Sequence, residues 1–133
     1  MILLTSMIDD HSQSIDPRHK QRIALVQQLY SYSFDPKFIY KLNKASKLQF
    51  DHVVQNIPKI DALITQHAPK YPIDQIAKAD LAILRLAIYE LAIDQKAPPK
   101  VVINEAVELA KEMGSDRSFA FVNAVLGAIV SNT

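Results

Sequence analysis

Glycine occurs only twice in this chain of 133 residues, and apolar side chains recur at intervals of three and four residues. Sheets are built from runs of alternating β-branched residues, and such runs are few here. Ile23, Val26 and Leu29, for example, fall on one stripe of a helix. The sequence therefore predicts an all-α fold.

Proline sets the predicted helix boundaries in the N-terminal half. Asp16-Pro17 and Asp35-Pro36 each place an N-capping carboxylate before a proline suited to the first helical position, so a helix is expected after each. Pro58 is expected to end the helix that contains Phe50, and Pro69 to end the shorter helix that follows. These signals divide the N-terminal half into four helices.

The C-terminal half contains the most apolar helical tract, residues 73–93, which is apolar on most sides as a central core helix should be. The tract has room for a break near Asp80, which would cap a second helix there. Pro98 opens the next helix, and Gly114 is expected to end it as a C′ glycine. The residues expected to cap the last helix are Ser115 or Asp116.

Composition limits the classes of function. The chain has no cysteine, which excludes disulfides, thiolate metal sites and thiol catalysis, and too few glycines for a phosphate loop of the GxxxxGK[ST] type. No run approaches the roughly 18–20 apolar residues of a membrane helix, and the opening MILL is too short for a signal peptide. We expect one soluble, cytoplasmic domain at residues 16–133, after a flexible acidic leader at residues 1–15.

The net charge of +1 hides a basic segment. Residues 17–47 carry seven lysines and arginines against one aspartate. Their first part, the PRHKQR run at residues 17–22, lies at a helix N-terminus, where free amides and the dipole favour anions. Unpaired RNA is one ligand for such a segment, with Phe119 and Phe121 as candidate stacking platforms. A solvated lysine-rich face, with both phenylalanines in the core, is the other interpretation.

Constellations typical of an enzyme are mostly absent. The four histidines lack metal-ligand spacing, and there is no GxSxG elbow. Three glutamates near one helical face suit acid–base chemistry, although a solvated face is the favoured interpretation: Glu105, Glu108 and Glu112. Four polar residues are interpreted as a structural network joining helices rather than as catalytic groups: Arg85, Glu90, Asn104 and Asn123. We expect no metal site and no enzymatic activity.

Several motifs carry a family resemblance. They are ILRLAIYEL at residues 83–91, VINEAVELAK at residues 102–111 and FVNAVL at residues 121–126, together with the basic RHKQR at residues 18–22 and VQQLY at residues 26–30. Through these motifs, residues 17–130 resemble the NusB family of transcription antitermination factors. The resemblance is strong after about residue 72 and weak in residues 35–70.

The resemblance implies a NusB-like bundle of about seven helices in two packed subdomains, without cofactor or catalysis. It implies a factor that binds the boxA element of single-stranded RNA together with NusE, which is also a small-subunit ribosomal protein. The factor would act in the RNA polymerase antitermination complex and support read-through, mainly of ribosomal RNA operons.

The resemblance also implies site residues by position. The first RNA-contacting set is Arg18, His19, Lys20 and Arg22. A second RNA-facing set, at the last interhelical turn, is Ser115, Ser118 and Phe121, to which Arg117 adds a positive charge where relatives are often acidic. The positions on the NusE side are Tyr30, Asp74 and Asp80. His19 stands where arginine is usual, so one fixed charge becomes pH-dependent.

Two other functions stay open. One is an accessory RNA-binding domain of the kind attached to RNA cytosine methyltransferases, although 133 residues leave no room for a methyltransferase domain. The other is an interaction module that mainly holds NusE. The acidic leader is either disordered, or it lies over the basic run and weakens RNA binding until it is displaced.

Overall fold

The structure is a computed structural model that describes residues 16–38 and 40–132. These residues form six α-helices and no strand, which confirms the all-α prediction, while the resemblance implied about seven helices. The helices are α1 (Pro17–Tyr32), α2 (Lys44–Gln55), α3 (Ile57–His67), α4 (Lys78–Ile88), α5 (Pro99–Met113) and α6 (Ser118–Ser131). A 3₁₀ turn (Ile73–Gln75) precedes α4, and a π-helical turn (Tyr89–Asp94) continues it. The predicted leader lies outside the described residues.

Helix α4 is the centre of the core. Every residue from Asp80 to Glu90 is buried, and α4 packs against α1, α3, α5 and α6. Burial of each large aliphatic side chain contributes roughly 1.5–3 kcal/mol, so a helix apolar on most sides is stable only at such a position. Its Arg85 binds Asp61 of α3 through two hydrogen bonds of 3.0 and 2.9 Å. The predictions of a core helix and of a carboxylate partner for Arg85 are both confirmed.

The two Asp-Pro signals have different outcomes. Asp16 caps α1 as predicted, because its carboxylate accepts a hydrogen bond of 2.8 Å from the Arg18 amide and Pro17 begins the helix. The helix predicted after Asp35-Pro36 is wrong, since the next helix begins at Lys44. The Asp35 carboxylate accepts from the Lys37 amide, and the Phe38 amide donates to the Asp35 carbonyl, which closes a turn instead.

The other boundaries depend on local packing. Pro58 does not end α2, which stops at Gln55. It lies in the first turn of α3, where proline is tolerated. The end of α3 before Pro69 is confirmed. The break before α4 falls at Ala77, so Asp80 lies inside the helix and is not its cap.

Gly114 ends α5, but its φ of −101° is not the left-handed conformation expected of a C′ glycine. A Cβ here would collide with the side chain of Ser118 and lie 2.8 Å from the Ala110 carbonyl oxygen, so close approach explains the glycine. The predicted caps of α6 are also wrong. Arg117 is the N-cap residue, and neither Ser115 nor Asp116 caps α6 with its side chain.

Candidate nucleic-acid interface

The basic start of α1 separates into two faces. Arg18 and Lys20 are exposed, whereas Arg22 is only 9% exposed and His19 is partly buried. Successive helical residues are about 100° apart, so positions 18–22 cannot all face one way. Among positions 18–22, only Arg18 and Lys20 present to solvent a cation that no described carboxylate pairs.

His19 lies between two carboxylates of α5. Its Nδ1 is 2.6 Å from Glu105 Oε2, and its Nε2 is 3.1 Å from Glu112 Oε1. The hydrogen bond to Glu105, assisted by the negative charges of both glutamates, raises the pKa of His19 above its ordinary value of 6.5 against the opposing effect of burial. A protonated His19 therefore ties α1 to α5 instead of adding free charge to the surface.

Arg22 forms a buried, two-pronged ion pair. Its Nε and Nη2 donate to the Glu90 carboxylate at 3.0 and 2.8 Å, and its Nη1 lies 3.8 Å from Glu105. The bond to Glu90 raises the pKa of Arg22, so its charge is permanent. Glu90 belongs to the π-helical turn, which lies against the start of α1 through this pair.

The sequence did not reveal which carboxylates bind the cations at the start of α1. The favoured interpretation of Glu105 and Glu112 was a solvated face, yet both bind His19. They lie 86 and 93 residues from His19 along the chain, so no local spacing signals the pairing. Glu90 was expected in a structural network, and Arg22 is its partner.

A cleft of about 590 Å³ opens beside the Arg22–Glu90 pair. Arg18 and Lys96 contribute cations to its wall, and Asp94, 3.7 Å from Lys96, contributes one carboxylate. Gln21 and Gln49 also line it and bind each other at 2.8 Å. An exposed arginine such as Arg18 on an open wall can hold a phosphate group.

At the second predicted RNA-facing region, the serines form the turn itself. Ser118 is 1% exposed, and its Oγ accepts a hydrogen bond of 2.8 Å from the Ser115 amide. Arg117 is exposed beside them. Phe121 is half-buried, edge to face with Tyr71 at 5.2 Å between ring centroids. Arg117 is therefore the accessible cation of this set.

Helices α5 and α6 also frame an open groove of about 670 Å³. Asn104 and Asn123 line it and are exposed, so the prediction that they join helices in a buried network is wrong. Phe119 lines it as well, 42% exposed, with the Lys111 ammonium 5.7 Å from its ring centroid. Of the two candidate stacking platforms, Phe119 is therefore the more open.

The three predicted partner-side residues differ in access. Tyr30 is exposed and packs edge to face on Phe34. Asp74 is exposed in the 3₁₀ turn, while Asp80 is buried and its Oδ1 has no hydrogen-bond partner within the described residues. Tyr30 lies twelve residues beyond Arg18, about 18 Å along α1, so the helix separates the two predicted surfaces.

The sequence of this chain matches those of known proteins. Residues 19–131 match the model of the NusB family. The transcription antitermination protein NusB of a Sulfurovum species is 35% identical over 126 residues, covering 84% of this chain and 96% of that protein. The chain belongs to the NusB family. NusB of Chloroflexus aggregans is 54% identical over 74 residues, which cover 54% of this chain and 49% of the relative, so the match spans about half of such a protein.

A solved structure agrees with the fold. The NusB chain in a crystal structure of the antitermination factors NusB and NusE in complex with dsRNA superposes with a TM-score of 0.74, at 24% identity. The superposition covers 89% of this chain and all of that one. At this identity the likeness supports the NusB fold and nothing finer.

Neither a metal-binding group nor a membrane-spanning helix is found among the described residues. Residues 16–38 and 40–132 contain no group of three or more His, Cys, Asp or Glu side chains able to hold a metal ion. In the same part of the chain, no helix has both the length and the apolar character required to cross a membrane.

Proposed function

We propose that this protein is a transcription antitermination factor that binds boxA-type single-stranded RNA together with NusE. In this proposal it supports read-through by RNA polymerase, mainly of ribosomal RNA operons. Family membership carries the proposal, because residues 19–131 match the NusB family and the curated relatives are transcription antitermination proteins. The protein would act by binding alone, as an RNA-bound adaptor.

The exposure and pairing of the predicted site residues support a different role for each group. Arg18, Lys20 and Arg117 have exposed positive groups and would contact phosphates. His19 and Arg22 would hold the start of α1 in place through their carboxylates, because their charges are already paired. Tyr30 and Asp74 would face NusE, since both are exposed and Asp74 lines a pocket with Tyr32 and Ser33 at the C-terminal end of α1.

The decisive measurement is the affinity for a labelled boxA-type RNA, by fluorescence anisotropy, with purified NusE present and absent. Replacing Arg18 and Lys20 by alanine should weaken binding and reduce the salt dependence. Each phosphate contact on a single strand contributes about 0.7 to the slope of log K against log salt, so the double variant should lose about 1.4.

Lys59→Ala is the control, because Lys59 is also an exposed lysine but lies on α3. It should bind RNA like the parent protein. Unchanged affinity of the Arg18/Lys20 variant at low salt would contradict the assigned RNA site. Arg22 is left intact in this test, because its loss would leave the buried Glu90 carboxylate unpaired. The resulting loss of stability could then be mistaken for a loss of RNA affinity.

A further inference from the structure

A group of exposed aromatic rings lies at the end of α1 and in the loop after it. Tyr30, Phe34, Phe38 and Tyr40 are between 42% and 63% exposed. They form two edge-to-face pairs, Tyr30 with Phe34 at 5.0 Å and Phe38 with Tyr40 at 5.1 Å between centroids. Exposed aromatic surface of this extent usually marks a binding site.

The second pair is held in place by a buried glutamine of α1. Gln28 is fully buried, and its side-chain amide donates to the Phe38 carbonyl at 2.7 Å while its side-chain oxygen accepts from the Tyr40 amide. Both polar ends of one side chain therefore fix the backbone on either side of residue 39. The two rings are displayed on a fixed support, which lowers the entropy cost of binding a ligand.

Three lysines lie within a few residues of Phe38 and Tyr40 along the chain. Lys37, Lys41 and Lys44 are exposed, and none forms an ion pair with another described residue. The one acidic residue among them, Asp35, binds the backbone of its own turn. Residues 34–38 and 40–44, which we call the aromatic–lysine segment, thus combine open aromatic faces with positive charge that no described residue neutralises.

We propose that the aromatic–lysine segment is a second binding surface for unpaired RNA, in which Phe38 and Tyr40 stack on bases and the three lysines contact phosphates. Stacked aromatic rings with adjacent cations are the usual means of holding a single strand. The Tyr30–Phe34 pair stays with the predicted NusE side, whereas Phe38 and Tyr40 have lysines as sequence neighbours, and protein interfaces are depleted in lysine. Most of the segment lies within residues 35–70, where the resemblance to the NusB motifs is weak.

The inference takes its ligand class from the proposed function, and the experiment separates the two. Binding of a labelled 20-nucleotide single-stranded RNA that contains a boxA element is measured with and without NusE. Phe38→Ala with Tyr40→Ala should weaken affinity at least about 30-fold, since each of two stacked bases is worth about 1–3 kcal/mol. Leu48→Ala, which removes a similarly exposed apolar side chain from α2, should leave it unchanged.

A tryptophan reporter gives a direct readout, because the chain contains no tryptophan. In the Phe38→Trp variant, RNA should quench the fluorescence of the new indole by stacking. In Leu48→Trp the same RNA should leave the emission unchanged. Phe38 and Leu48 are both exposed, so neither substitution should unfold the protein, and thermal unfolding verifies this.

The outcomes are distinct. If Phe38/Tyr40 variants bind RNA like the parent while Arg18/Lys20 variants bind weakly, this inference is overturned and the proposed function stands. If both sets weaken binding, or the aromatic set alone does, the inference is supported. If the aromatic variants lose affinity for NusE but not for RNA, the segment is a protein-docking surface and the inference fails. If the parent binds no RNA, both proposals fail.

Discussion

At the start of α1, His19 and Arg22 bind carboxylates that lie 68 to 93 residues further along the chain. In the aromatic–lysine segment, Lys37, Lys41 and Lys44 bind no carboxylate among the described residues. Both stretches belong to the same basic segment of the sequence. The summed charge of a sequence segment therefore overestimates the positive charge that a ligand can bind. Cations paired with carboxylates stabilise the fold, and only the unpaired ones can contact a ligand.

The largest effect should come from breaking the buried pair at α1. Glu90→Ala leaves the Arg22 guanidinium buried without its main partner, and loss of one member of a buried pair typically costs about 3–5 kcal/mol. Urea unfolding measures this change in the free energy of unfolding. Glu108→Ala, which removes a glutamate from an exposed pair with Lys111, should cost no more than about 1 kcal/mol. Equal losses in the two variants would show that the Arg22 pair is not structural.

Releasing the support of the aromatic–lysine segment should have a smaller effect on stability. Gln28→Leu fills a similar volume but leaves the Phe38 carbonyl and the Tyr40 amide without their partner, which costs about 1–3 kcal/mol. We expect lower stability in urea and faster amide exchange at Tyr40. Exchange at Tyr40 as slow as in the parent would mean that Gln28 does not hold the segment.

The contribution of His19 should depend on pH. Its pKa is raised in the folded protein, so its stabilising effect is complete below the unfolded value of 6.5 and is lost as the pH rises through the folded pKa. The melting temperature of His19→Gln should therefore fall furthest below that of the parent at about pH 6, and the gap should narrow towards about pH 9. A gap that widens with pH would contradict the two-carboxylate arrangement.

The smallest effect on folding is expected from the free lysines. Replacing Lys37, Lys41 and Lys44 together by alanine should change the free energy of unfolding by less than about 0.5 kcal/mol, as for ordinary surface substitutions. The same variant should reduce the salt slope of RNA binding by about 2. A marked loss of stability would show that these lysines are paired in solution and would remove the contrast with α1.

Sequence reasoning succeeded where the signal is local. The apolar pattern of residues 73–93 predicts the central helix, and Asp16-Pro17 predicts the start of α1, because helical periodicity and capping depend on neighbours in sequence. The signal at Asp35-Pro36 failed since Gln28, seven residues earlier, takes up backbone groups of the following loop. A tertiary hydrogen bond of that kind cannot be recognised from the periodicity of the sequence.

The site was predicted less completely than the fold. The basic run at residues 18–22 was visible, but which of its charges are free depends on Glu90, Glu105 and Glu112, which only the packing of α5 and the π-helical turn brings to it. The exposure of Asn104 and Asn123 was missed for a related reason. Their positions on α5 and α6 look inward-facing until the angle between the two helices is known.

Gln28 does for the loop what a neighbouring β-strand would do, offering one acceptor and one donor to residues 40 and 38. Because the Gln28 side chain bonds only to backbone groups, it fixes the path of the loop without restricting which side chains the loop carries. The rings and lysines can therefore be exchanged by mutation while the helices stay as they are. Such a segment is a place where ligand preference can diverge among relatives that share the same core.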